Sequence, residues 1–230
     1  MIRAISFDLD DTLWPVRPAI MRAEHAQWRY VREHYPKLVF DEYGLGPLRR
    51  EVWDEFPDRR YDLTFLRQEC LRRFAVQHDL DCPESFVAGA YAAFNVARNQ
   101  VWFYPDALPS LARLAADFRL VSVSNGNACL QRTGIADWFS ASISASDAGA
   151  AKPDRVIFDA AAEALGMPHE HILHIGDDPM MDVEGARAAG QHALWVNRTA
   201  RAWPSGLQRP TLELASLAAL NTAVIQRHFE

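Results

Sequence analysis

The chain has 230 residues, of which 49% are hydrophobic and 23% charged. That composition excludes gross disorder, and a chain of this length hides roughly 70% of its unfolded surface without disulfide or metal staples. A net charge of −6 excludes a protein whose affinity comes from nucleic-acid phosphates or anionic lipid.

No stretch approaches the ~18 apolar residues needed to cross a bilayer, and the run Ile2 to Phe7 is too short for a signal peptide and ends in acid. Cys70, Cys82 and Cys129 are odd in number, far apart and without CxxC spacing. They point to neither a disulfide framework nor a zinc site, and to a reducing, cytoplasmic location.

Taken in chain order, Ile2 to Phe7 is a strand rich in β-formers. The stretch from Pro15 to Trp102 has arginine-rich amphipathic patterning and turn signals at Tyr35-Pro36, Gly44-Leu45-Gly46-Pro47 and Asp81-Cys82-Pro83. It reads as three to five helices. That is too much chain for a crossover loop, so residues 15–102 are expected to form a helical cap domain. They would be inserted into a core made of residues 1–14 and 103–230.

In the core, Asp106 to Asp117 reads as a helix, Arg119 to Ser124 as a strand and Pro153 to Leu165 as a helix. His171 to Gly176 is a third strand, Asp182 to Ala189 a helix and His192 to Val196 a fourth strand. A loop at 204–210 and a closing helix from Glu213 to Arg227 follow. Strands alternating with helices give an α/β fold with a Rossmann-like parallel sheet.

Polar residues collect just after these strands. Asp8, Asp10, Asp11 and Thr12 follow the first; Ser124, Asn125 and Gly126 close the second; Asp177, Asp178 and Asp182 follow His171 to Gly176. In open α/β sheets, ligands bind at the carboxyl ends of strands. Asp8 and Asp10, two apart in extended chain, point to one side. Two carboxylates ~4 Å apart at an effective dielectric of about 20 repel by about 4 kcal/mol. Acids at two strand ends call for a cation, and an all-oxygen set favours Mg²⁺ over zinc.

Of 24 basic residues only Lys37 and Lys152 are lysine, so Lys152, a compact charge in the turn Gly149-Ala150-Ala151-Lys152-Pro153, is an informative choice. Its partner would be an anionic substrate or the carboxylates themselves. The turn after Ser124 offers a hydroxyl and amides suited to phosphate oxygens.

The series Asp8-Leu9-Asp10-Asp11-Thr12, Ser124, Lys152-Pro153 and Gly176-Asp177-Asp178-Pro179-Met180-Met181-Asp182 resembles the four motifs of the haloacid dehalogenase-like hydrolases, with the helical block where that family places its cap. Phe7 to Leu13, Arg17-Pro18-Ala19-Ile20, Ser124 to Asn127 and His174 to Asp178 are similar to a bacterial subgroup. Its members dephosphorylate flavin mononucleotide and the phosphorylated ribitylamino-uracil intermediate of riboflavin synthesis.

The resemblance implies a Mg²⁺-dependent phosphomonoesterase acting on a small phosphorylated metabolite. Asp8 would be the nucleophile and Asp10 the general acid and base. Asp8, Asp177 and the Asp10 carbonyl would hold the metal, with Asp178 and Asp182 at it directly or through water, while Asp11, Ser124, Asn125 and Lys152 would hold the phosphate. Thr12, Gly126 and Asp182 would support them. Nucleoside monophosphates and sugar phosphates are alternative substrates.

A 2-haloacid dehalogenase is the competing activity; it attacks carbon, needs no metal, lacks the second acid of the first motif and has a different fourth motif. A phospho-receiver module would be about half as long and order its acids differently, and a non-catalytic relative would not need the complete set. Trp14 and Arg17 are the residues outside the motifs expected nearest the site. His169, His171 and His174 are expected to be structural, Cys129 a small buried hydrophobe, and the Asn197-Arg198-Thr199 sequon inert in a cytoplasmic protein.

Overall fold

The apolar runs become a six-stranded sheet in the computed structural model, which describes residues 1–40 and 45–229. The strands are β1 (Ala4–Phe7), β2 (Arg119–Ser124), β3 (Ala141–Ser144), β4 (Ile172–Gly176), β5 (His192–Val196) and β6 (Leu212–Leu214). Their order is β3-β2-β1-β4-β5-β6, and every pairing is parallel. The four residues of β1 and the five of β4 are all buried, as strands covered on both faces must be.

The chain divides into two compact units, Met1–Pro15 with Trp102–Glu230 and Val16–Val101. The second unit is helical: α1 (Val16–His34), α2 (Leu45–Glu55), α3 (Leu63–Gln77) and α4 (Pro83–Arg98). Buried Ala19, Ala23, Gln27 and Val31 fall four apart on α1 and give it one inward face. Trp28, Val52, Leu71, Phe74 and Phe86 share this unit's core. Asp62 caps α3 by accepting from the Phe65 amide at 2.9 Å. Of the expected turn at 44–47, Gly44 lies outside the described residues, and Leu45 to Pro47 open α2.

In the first unit α5 (Ala107–Ala115), α6 (Leu130–Thr133), α7 (Ala145–Ala148), α8 (Arg155–Leu165), α9 (Gly185–Ala189) and α10 (Thr222–Phe229) connect or flank the strands. Asp154 caps α8 through the Val156 amide, and Gly166 at φ 62 ends it.

Three expectations about elements need correction. The closing helix is shorter than expected: Leu212-Glu213-Leu214 is edge strand β6, paired with Leu194 to Val196. β3 escaped notice because Ala141-Ser142-Ile143-Ser144 is short and polar, and its membership depends on pairing with β2. The helix expected from Asp182 begins instead as a wide turn, Pro179–Glu184, in which the Val183 amide reaches back to the Asp178 carbonyl at 3.3 Å. Such widened turns accompany functional sites. No helix of the described residues is long and apolar enough to cross a membrane.

Candidate active site

Sheet order brings the two acidic strand ends together. β1 pairs with β2 on one side and β4 on the other, with Phe7 opposite Ile175, so Asp8 and Asp177 leave adjacent strands where the sheet's order reverses. One carboxylate oxygen each from Asp8, Asp177 and Asp182 lies within 4.8 Å of the others.

Lys152 sits beneath this group, fully enclosed. Its Nζ donates to Asp8 Oδ1 at 2.7 Å, Asp182 Oδ1 at 2.6 Å and the Val123 carbonyl at 2.9 Å. All three ammonium hydrogens therefore face protein oxygens. Lys152 thus meets the carboxylates themselves, one of the two kinds of partner expected for it. Asn125 is bonded to the same residue. Its side-chain amide accepts from the Lys152 backbone N–H at 2.7 Å and donates to the Lys152 carbonyl at 3.0 Å, holding the lysine's backbone. Ser124 is buried at the end of β2, and its Oγ accepts from the Gly126 amide at 3.0 Å, which shapes the turn.

Asp182 is one of the three grouped acids, where the sequence left open whether it stands at the metal directly or through water. Its Oδ1 accepts from Lys152 and from His174 Nε2 at 3.2 Å, and its Oδ2 from the Asp178 amide at 2.8 Å. Gly176 makes room for it: a Cβ there would lie 2.2 Å from Asp182 Cγ. Asp178, expected at the metal directly or through water, has one carboxylate oxygen engaged by backbone. Its Oδ1 accepts from the Met180 and Met181 amides, both at 2.8 Å, as a helix N-cap, and it is not among the three grouped acids.

His174, Ser6 and Gln191 continue the buried network. Ser6 Oγ lies 2.8 Å from His174 Nδ1 and donates to Gln191 Oε1 at 3.4 Å. The three histidines do not converge: His169 pairs with Asp159 at 2.8 Å, and only His174 reaches the site. Two partners of Asp177 had no signal in the sequence. Arg201 contacts its Oδ2 at 3.0 Å and its carbonyl at 2.7 Å, and Trp195 Nε1 donates to that carbonyl at 2.7 Å.

The loop after β1 is tightly folded. Asp11 adopts φ 61, its amide donates to the Trp14 carbonyl at 2.7 Å, and the Leu13 amide to the Leu9 carbonyl at 2.8 Å. Asp10 Oδ1 accepts from Trp14 Nε1 at 2.8 Å. The buried Thr12 gives its carbonyl to Arg198 Nε at 2.9 Å, and Arg198 is ion-paired with Asp106 at 3.0 Å.

Electrostatics follow from this crowding. Burial, with the charges of Asp182 and Asp177, pushes Asp8 well above the ordinary carboxylate range, and Lys152 only partly offsets it. Asp177 is pushed up to about 7 by burial and by Asp182 and Asp11, against the opposing pull of Arg201. Burial works against the charged form of Asp182 too, but Lys152 and His174 prevail and hold it low. Burial keeps His174 below its usual value. Lys152 stays protonated because Asp182 and Asp8 outweigh its own desolvation.

Asp8 Oδ2 is buried and has no hydrogen-bond partner. A site with two acids raised in this way and an unpartnered carboxylate oxygen fits a divalent cation held by oxygen ligands.

Such a sheet, with acids at adjacent strand ends and a buried lysine, defines a class of hydrolase. The chain belongs to the haloacid dehalogenase-like hydrolases, whose family model matches residues 2–190. Within that class it is similar to 5-amino-6-(5-phospho-D-ribitylamino)uracil phosphatase YigB of Escherichia coli K12, at 34% identity over 97% of this chain and 96% of that protein. It is 30% identical to the glyceraldehyde 3-phosphate phosphatase of Methanopyrus kandleri, over 86% of this chain and 85% of that one. A solved structure described as a 2-haloacid dehalogenase from Pseudomonas syringae pv. Tomato DC3000 superposes with TM-score 0.92 at 34% identity, covering 99% of each chain. The protein is a phosphatase of this family.

Proposed function

We propose that this phosphatase is Mg²⁺-dependent and works through an aspartyl-phosphate on Asp8, with flavin mononucleotide or the phosphorylated ribitylamino-uracil as substrate. The observation that carries the reading is the asymmetry of the Asp8 carboxylate: Lys152 holds Oδ1, while Oδ2 is buried without a partner. That oxygen attacks phosphorus, forming an O–P bond as the ester O–P bond breaks. Asp10 gives its proton to the departing alkoxide and then accepts one from the water that hydrolyses the acyl phosphate.

Asp8 and Asp177 would hold the metal, with the Asp10 carbonyl, and Asp182 lies within reach. When bound, Mg²⁺ supplies the positive charge that lets an anionic carboxylate approach a phosphate dianion. Lys152 keeps Asp8 oriented and adds charge of the same sign from below. The Ser124 hydroxyl hydrogen and Asp11 would face the phosphoryl oxygens, Ser124 Oγ itself accepting from the Gly126 amide. Residues 1–14 with 103–230 serve as the catalytic core and 15–102 as the cap that selects substrate.

Dehalogenation is the second reading, because the Pseudomonas syringae structure carries that description. Asp10 and the Gly176-Asp177-Asp178 sequence oppose it, since attack on carbon needs neither a leaving-group acid nor a metal. The test is phosphate release from a panel of phosphate esters, and halide release from 2-haloacids, with and without EDTA. Phosphate release that is abolished by EDTA and by Asp8→Asn supports the proposal. Phosphate release unaffected by EDTA, or retained in Asp8→Asn, overturns it.

A further inference from the structure

We propose that Trp14 is a positioning residue for the acid–base step, its indole N–H fixing the rotamer of the Asp10 carboxyl. The proposal rests on the reading of Asp10 as general acid and base. Trp14 is 0% exposed, yet it lies in the loop that follows β1 rather than within a strand or helix. Its ring meets Phe103 edge-on, with centroids 5.4 Å apart and planes at 84°. A phenyl ring could supply that packing. What only tryptophan adds is the N–H, and this donates to Asp10 Oδ1 at 2.8 Å.

The indole is itself immobilised. The Trp14 carbonyl accepts from the Asp11 amide at 2.7 Å, and the preceding Leu13 carbonyl accepts from the Tyr104 amide at 2.9 Å. A rigid donor therefore meets a carboxyl carried on a short side chain with two rotatable bonds. Toward the carboxylate form of Asp10 this hydrogen bond is charge-assisted, and it fixes orientation as well as adding energy. It also has a chemical consequence: a carboxyl whose Oδ1 accepts from the indole exchanges its proton through Oδ2. The same bond serves both half-reactions, since one oxygen gives the proton to the leaving alkoxide and takes one from the attacking water. Proton transfer is sensitive to misplacement of this sort.

The test exploits leaving groups. Release of an alkyl alcohol needs a proton, whereas p-nitrophenolate departs as the anion. Single-turnover release is compared for an alkyl phosphate, flavin mononucleotide or glycerol 2-phosphate, and for p-nitrophenyl phosphate, in wild type, Trp14→Phe and Asp10→Asn. Trp14→Phe is expected to slow alkyl release about tenfold and nitrophenol release less than about twofold, with Asp10→Asn showing the same selectivity at ~10²–10⁴-fold. A structural defect would slow both substrates alike.

Benzothienylalanine at position 14 keeps the bicyclic ring and its packing while replacing the N–H by sulfur, and it must reproduce the selective loss. Equal losses on both esters, or none in either position-14 variant, overturn the role of Trp14. If Asp10→Asn spares the alkyl ester, the acid–base reading of Asp10 falls first and this inference with it.

Discussion

Replacing Lys152 by methionine keeps the length and apolar stem of the side chain and deletes the charge. In the wild type that charge lies 2.7 Å from Asp8 and 2.6 Å from Asp182, with the lysine side chain 2% exposed. Removing one partner of a buried ion pair costs roughly 3–5 kcal/mol, because the carboxylates left behind have neither water nor a counter-ion. At roughly 2–4 °C per kcal/mol for a chain of this size, the melting temperature should fall by roughly 6–20 °C.

The pH dependence has a definite sign. Without Lys152, Asp8 and Asp182 bind protons more tightly folded than unfolded, so the variant loses stability as pH rises above their unfolded pKa of about 3.9. Circular-dichroism melts in EDTA should therefore show a larger gap between wild type and Lys152→Met at pH 8 than at pH 5. Adding Asp182→Asn should recover part of the loss by removing one stranded charge. A variant that melts within about 2 °C of wild type at pH 8, or a gap that widens on acidification, would refute the reasoning about this buried pair.

Three further outcomes follow from the same site. Because Asp177 is pushed up to about 7, a proton competes with Mg²⁺ there. Mg²⁺ affinity, measured by calorimetry, should fall about tenfold per pH unit below that value, and a flat profile between pH 5.5 and 7 would contradict the assignment. The metal-free protein should correspondingly lose stability as pH climbs from about 3.9 to about 7, since the folded state retains the proton longer. Gly176→Ala places a methyl 2.2 Å from Asp182 Cγ, so Asp182 must leave its place between Lys152 and His174. Overpacking of this kind costs about 1–3 kcal/mol, and phosphate release should fall at least about a hundredfold; a variant with wild-type turnover would show the contact to be dispensable.

Much of this protein is legible in its sequence because the signals are local. A short apolar run ending in acid reads as a buried strand delivering a carboxylate, and this holds for β1 into Asp8 and for β4 into Asp177. The scarcity of lysine marked Lys152 before any fold was in view. What could not be read is what depends on partners distant in the chain. Asp178 and Asp182 are equally acidic as letters; the amides of Met180 and Met181 engage the first, and Lys152 with His174 the second. That the side-chain amide of Asn125 holds the backbone of Lys152 likewise depends on the return of the chain at Lys152. Arg201 reaches Asp177 across a separation of 24 residues.

The sequence by itself determined the alternation of strands and helices and singled out the acids and the lysine that follow the strands, since both follow from side-chain chemistry and short-range periodicity. Only the tertiary structure decided which acids share a cation-sized space and which are held by backbone amides. That choice is set by sheet order and by the desolvation of each carboxylate, and both arise only once β1 and β4 lie side by side.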